Sequence, residues 1–143
     1  MLVGRDEEEM RERLFKAKRK DNSEWVTGYY VAKYDIDGTL IHYIFLNKGI
    51  NVWEFVEIIP ETLCQYTCLT DKNGEKIWEN DVCKINESSI DEEDGNFQVE
   101  WDNDSARFVL NGFGLTVDFD NVYGYECEVI GNIFDNKELL EVE

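Results

Sequence analysis

The stretch WVTGYYVAKYDIDGTLIHYIFL, residues 25–46, consists of two runs of β-branched and aromatic residues parted by Asp35-Ile36-Asp37-Gly38. Its reading decides the fold. Asp35 and Asp37 are either carboxylates poised to attack a phosphate or the corner of a β-hairpin. Phosphoryl transfer needs the aspartates at the end of an apolar strand buried on both faces, followed by a Ser or Thr, a Lys and paired carboxylates for magnesium. Here the approaching run carries Lys33, and no α/β repeat follows it. A hairpin needs only a short polar corner between two strand formers, with Asp-Gly supplying the positive φ of a tight turn. The hairpin reading is adopted, and with it an antiparallel β fold. A calcium loop starting at Asp35 fails because its twelfth position, Leu46, lacks the bidentate Glu.

Outward from this hairpin the pattern repeats. Upstream, RLFKAKR (13–19) reads as a strand and KDNSE (20–24) as a turn, while residues 1–12 mix both charges and are expected to form a flexible extension. Downstream, NKGIN turns the chain and VWEFVEII (52–59) is a strand apolar on both sides. Pro60, the only proline, lacks the amide hydrogen of a central strand. It is taken as the boundary between an N-terminal antiparallel lobe, 13–60, and a C-terminal lobe, 61–143.

In the second lobe LCQYTCL and TDKNGEKIW form another hairpin around Asn73-Gly74, and DVCKI follows. NESSIDEEDGN (86–96) is an acidic surface loop. Three later runs alternate with period two: Phe97, Val99 and Trp101, then Leu115, Val117 and Phe119, then Tyr125, Cys127 and Val129, all expected to face inward. Gly131 is expected at a bend or bulge. Asp135 or Asn136 caps a short C-terminal helical turn, with Leu139 and Leu140 packing back. Five or more short antiparallel strands predict a mainly β protein whose second lobe is a small closed or half-closed barrel, SH3-like or alternatively OB-like.

Composition narrows the function. With 43% hydrophobic and 13% aromatic residues in 143, the chain folds around a core despite its charge. Lys and Arg number 14 against 32 Asp and Glu, a net of −18; residues 1–70 hold 9 and 12 of these, residues 71–143 hold 5 and 20, a net of −15. Such a C-terminal half repels phosphates and argues against direct nucleic-acid binding. It suits solubility, a basic partner or mimicry of a nucleic acid. The one basic run, FKAKRK with Lys16, Lys18, Arg19 and Lys20, reads as a guarded strand edge before it reads as a nucleic-acid contact. Cys64, Cys68, Cys83 and Cys127 lack zinc-knuckle spacing and His42 stands alone, so the thiols are expected as small buried hydrophobes, with no metal and no cofactor. The first residues have no apolar signal segment and no run is long enough to span a bilayer, so a cytoplasmic protein is expected.

The segment CQYTCLTDKNGEKIWENDV, 64–82, resembles the YopX family of phage and prophage proteins. Gln65, Tyr66, Thr67, Leu69, Asp71, Lys72, Asn73, Gly74, Ile77, Glu79 and Asp81 fall on the family pattern, with Trp78 where an aromatic is usual. Cys68 and Asn80 stand where the family commonly has glycine. Asn tolerates positive φ, whereas Cys68 is expected in ordinary strand geometry. KAKRKDNSEWVTGYYV, VEIIPET and YECEVIGNIFDNKELL resemble flanking parts of the same family. The resemblance implies a phage- or prophage-encoded, two-part β protein with an SH3-like barrel, no transferable catalytic residues, and an unestablished molecular function. Tyr66, Trp78 and Asp81 are its candidate interaction residues. The expected role is a non-enzymatic protein-interaction module binding a host or phage protein; an acidic nucleic-acid mimic and a carboxylate-based hydrolase or phosphatase are the competing readings. Pairing with a second copy along an edge of the N-terminal hairpin is compatible with the sequence.

Overall fold

The hairpin corner at Asp35 shows how the chain builds its turns. In the computed structural model, which describes residues 11–85, 95–119 and 127–140, the Asp35 carboxylate accepts the amide hydrogens of Asp37 (2.9 Å) and Thr39 (3.0 Å). The backbone closes with Asp35 N–H to Thr39 O at 2.9 Å and Gly38 N–H to Asp35 O at 3.0 Å. Gly38 takes φ +82, and Asp37 does not join it in the left-handed region. This is a longer corner than the two-residue turn that Asp-Gly suggested, with one left-handed glycine closing it. Asp71 repeats the device: Oδ1 accepts from Asn73 (2.8 Å) and Glu75 (2.9 Å), and Gly74 has φ +80.

Among the described residues eleven strands result: β1 Phe15–Lys18, β2 Trp25–Tyr34, β3 Leu40–Gly49, β4 Val52–Glu57, β5 Cys64–Thr70, β6 Lys76–Trp78, β7 Asp81–Ile85, β8 Gly95–Asp102, β9 Arg107–Gly112, β10 Leu115–Asp118 and β11 Cys127–Asn132. The only helices among the described residues are short 3-10 turns, at Pro60–Thr62 and Lys137–Leu140. The strands form two antiparallel sheets, of order β4-β3-β2-β1-β5-β6 and β10-β9-β8-β7-β11. The contacts divide the chain into two compact units, Met1–Cys68 and Leu69–Glu143. Pro60 opens a 3-10 turn, and β5 beyond it pairs with β1 through Phe15–Gln65 and Lys16–Cys64, so the first sheet continues past the proline.

In the first unit, alternation along β1–β4 sends Ala17, Ile44 and Ile58 to a core that Phe15, Val26, Tyr30, Leu46 and Leu63 complete. The end of β4 is tied back to the end of β1: Lys20 N–H donates to Glu57 O at 3.0 Å and Ile59 N–H to Lys18 O at 2.9 Å. Gly28 is required on β2, because a Cβ there would stand 2.6 Å from the Phe45 carbonyl oxygen.

The second unit packs Ile77, Cys83, Ile85, Phe97, Val99, Leu110 and Cys127 into one cluster. The four-strand meander β7–β10 is followed by β11, which returns beside β7 with a register shift between Val129 and Gly131, at the bulge expected from the sequence. Among the described residues no ladder joins β10 to β11, so the sheet is not closed there. Two expectations are corrected. Trp101, assigned inward, is 44% exposed at the end of β8, where its indole N–H bonds Asn103 Oδ1 at 2.8 Å. Leu115 likewise faces solvent on the outermost strand. The extension at 1–10, most of the acidic loop, 86–94, and Tyr125 lie outside the described residues.

Candidate functional site

The motif residues form buried joints. Asp71 is buried, and its second oxygen accepts the Val129 amide hydrogen at 2.9 Å, so one carboxylate ties the β5–β6 hairpin to β11. Burial alone would push its pKa up; the amides of Val129, Glu75 and Asn73 outweigh it and hold the carboxyl below its usual range. Asp81, also buried, accepts the Trp78 amide hydrogen at 2.8 Å and thereby closes the turn between β6 and β7. In that turn Asn80 takes φ +70, donates to Val99 O (2.7 Å) and accepts from Ile133 (3.0 Å). Tyr66 is buried on β5, its amide bonded to Leu14 O. The structure therefore brings Trp78 and Asp81 together and places all three candidate interaction residues in the folded interior.

Cys68 departs from its expected strand geometry. It has φ +72, the left-handed conformation natural to the glycine of the family pattern, and is half-buried. Cys64, Cys83 and Cys127 are buried small hydrophobes. A hydrogen bond with Cys127 and then burial push the Cys83 thiol well above its ordinary value, which makes it inert. No group of three or more metal-ligating side chains occurs among the described residues. His42 stacks on Tyr30 with a 2.5 Å contact from Nδ1 to the phenol oxygen. The Asp35 carboxylate is engaged by its own turn.

The exposed chemistry lies on the outer side of the first sheet. Cross-strand register places Tyr29 opposite Phe45, Phe45 opposite Phe55, Val31 opposite Tyr43 and Asn47 opposite Trp53, all on one side. Tyr29, Trp53 and Phe55 are 51%, 47% and 45% exposed. Phe45 lies between Trp53 (4.7 Å, 28° between planes) and Phe55 (4.5 Å, 20°), and Tyr43 meets Phe55 edge-on at 5.8 Å. Lys33 Nζ sits 3.9 Å from the Phe55 ring centre, and Lys16 and Lys18 flank the Trp25 ring at 4.8 and 5.5 Å. Contiguous exposed aromatic patches of this kind are uncommon on monomer surfaces. The sequence signal was the apolar character of VWEFVEII (52–59) on both sides.

Residues 14–141 match the family described as YopX protein. The chain belongs to the YopX family. The solved structure of protein EF1440 from Enterococcus faecalis superposes on this YopX chain with a TM-score of 0.56 at 22% identity, covering 92% of this chain and 100% of that one. That likeness establishes a shared fold. No curated protein matches the chain significantly. No helix among the described residues is long and apolar enough to cross a membrane.

Proposed function

We propose that this YopX protein is a non-enzymatic protein-interaction module, encoded by a phage or prophage and working in the bacterial cytoplasm, that docks its partner on the outer face of the first sheet. The aromatic ladder Tyr29–Phe45–Trp53–Phe55 carries the proposal: Tyr29, Trp53 and Phe55 are about half exposed, Phe45 stacks between Trp53 and Phe55, and aromatic residues of this kind dominate interface energy. The motif residues Asp71, Trp78 and Asp81 are read as serving the fold, through the hydrogen bonds that hold its turns. The second unit is read as an SH3-like barrel in connectivity, a four-strand meander with its fifth strand returned beside the first. A photo-crosslinking amino acid in place of Tyr29 should trap a protein partner in a phage-carrying host, while the same probe in place of Trp101 should not. Equal trapping at both positions would remove the face from the proposal.

A further inference from the structure

The edge of a sheet presents unpaired amide hydrogens and carbonyls that template a further strand, so edges are blunted or covered. Among the described residues the two sheets end in four edges, and three of them are blunted. β6 is three residues long with Ile77 and Trp78 buried, β10 is four residues long, and β11 is bulged between Val129 and Gly131. β4 has none of these devices. It runs six residues without a proline, Val52, Trp53 and Phe55 are about half exposed, and its two glutamates are neutralised by Lys48 and Lys20. The bonds at its end show which backbone groups point outward. Glu57 O accepts from Lys20 on the side away from β3, whereas Ile58 N–H donates to His42 O on the β3 side. Backbone groups alternate sides along a strand, so Trp53 and Phe55, in phase with Glu57, each turn an N–H and a C=O away from β3. Beside them lies a cleft of about 260 Å³, between Glu54–Glu57 and the turn Arg19–Asp21.

Only a polypeptide in extended form offers alternating N–H and C=O groups at the spacing of this edge. A second copy of the chain fits it poorly. Two-fold pairing centred on Phe55 would drive the copy's Trp53 into the place beside Glu57 that Lys20 holds. Centred on Glu54, it would set that carboxylate directly against itself. Centred on Trp53, it would stop at Asn51, whose φ of +60 leaves extended geometry. We infer, as the mode of the docking role proposed above, that β4 is completed by an extended strand of a different protein. That strand bonds the outward groups of Trp53 and Phe55 and ends against the Arg19–Asp21 turn. Its residues on the outer side of the sheet lie beside the Trp53 and Phe55 rings and are apolar.

The test separates backbone from side chain. Phe55→Pro removes an outward N–H and leaves the ladder to β3 intact, since an edge tolerates proline where its amide faces out. Phe55→Ala removes the ring and keeps the N–H. Random linear peptides displayed on phage are selected against the full-length protein, and the winners are measured against both variants and against Trp53→Ser/Phe55→Ser. The expected winners lose about tenfold more affinity for Phe55→Pro than for Phe55→Ala. On the wild type they slow hydrogen exchange at the Trp53 and Phe55 amides, which in the free protein exchange faster than those of Glu54 and Val56. Equal affinity for the Pro and Ala variants, with those two amides unslowed, would overturn strand addition. The docking face then stands if Trp53→Ser/Phe55→Ser abolishes binding, and falls if that variant binds like wild type. A selection without winners would overturn both. A dimer seen in sedimentation and abolished by Phe55→Pro would overturn the foreign strand in favour of a second copy. Because amide exchange is read on the wild type, it decides the question even where Phe55→Pro does not fold.

Discussion

Cys68 and Asp71, three residues apart, show opposite uses of one motif. Cys68 holds φ +72 where the family pattern has glycine, and a Cβ in that conformation costs about 1–2 kcal/mol. Cys68→Gly relieves the strain but loosens the unfolded chain, so the expected result is a net stabilisation of about 0.5–1 kcal/mol in denaturant unfolding. Asn80→Gly should change stability by no more than a few tenths, since Asn accepts the left-handed region readily. Asp71 supports the fold with its charge. Its folded pKa is held below the unfolded value, so its stabilisation is present above about pH 4 and declines as pH falls through the folded pKa. Asp71→Asn keeps one acceptor for the turn and turns an amide donor towards the Val129 N–H. The loss should be about 2–3 kcal/mol at neutral pH, with a flatter stability profile between about pH 2 and 5. An unchanged acid limb in that variant would show that other carboxylates set it.

At the scale of elements, the hairpins were the most legible part of the chain. WVTGYYVAKY predicts β2 residue for residue, and both Asp-centred corners fall where the glycines signalled them. Gly38→Ala and Gly74→Ala should each destabilise by about 1–2 kcal/mol through the left-handed penalty alone, because neither Cβ would meet another atom. Equal unfolding midpoints for wild type and variants would refute that origin. What alternation did not disclose was cover. Period two states which residues share a side of a sheet, and says nothing about whether another element lies over that side. Hence Trp101 and Leu115 were assigned inward and are exposed, and Trp53 and Phe55 were read as part of a strand apolar on both faces but meet solvent. Burial of Tyr66, Trp78 and Asp81 was equally hidden, since motif residues that hold turns look the same in sequence as residues that hold partners.

For the whole molecule, stability and binding are expected to separate. The buried clusters, Ala17–Ile44–Ile58 in one unit and that around Phe97 and Val99 in the other, carry the folding energy. The outer face of the first sheet contributes stacking worth only about 0.5–1.5 kcal/mol per pair beyond area burial. The Trp53→Ser/Phe55→Ser variant should therefore fold with a modest loss, while Val99→Ala in the core should cost about 1–3 kcal/mol. The most direct measurement is quantitative affinity capture from a phage-carrying host, with wild type and the Trp53→Ser/Phe55→Ser variant run side by side and retained proteins compared by mass spectrometry. A partner held by wild type and lost at least about tenfold by the folded variant is the predicted result. Equal retention of every captured protein by both would contradict the docking face.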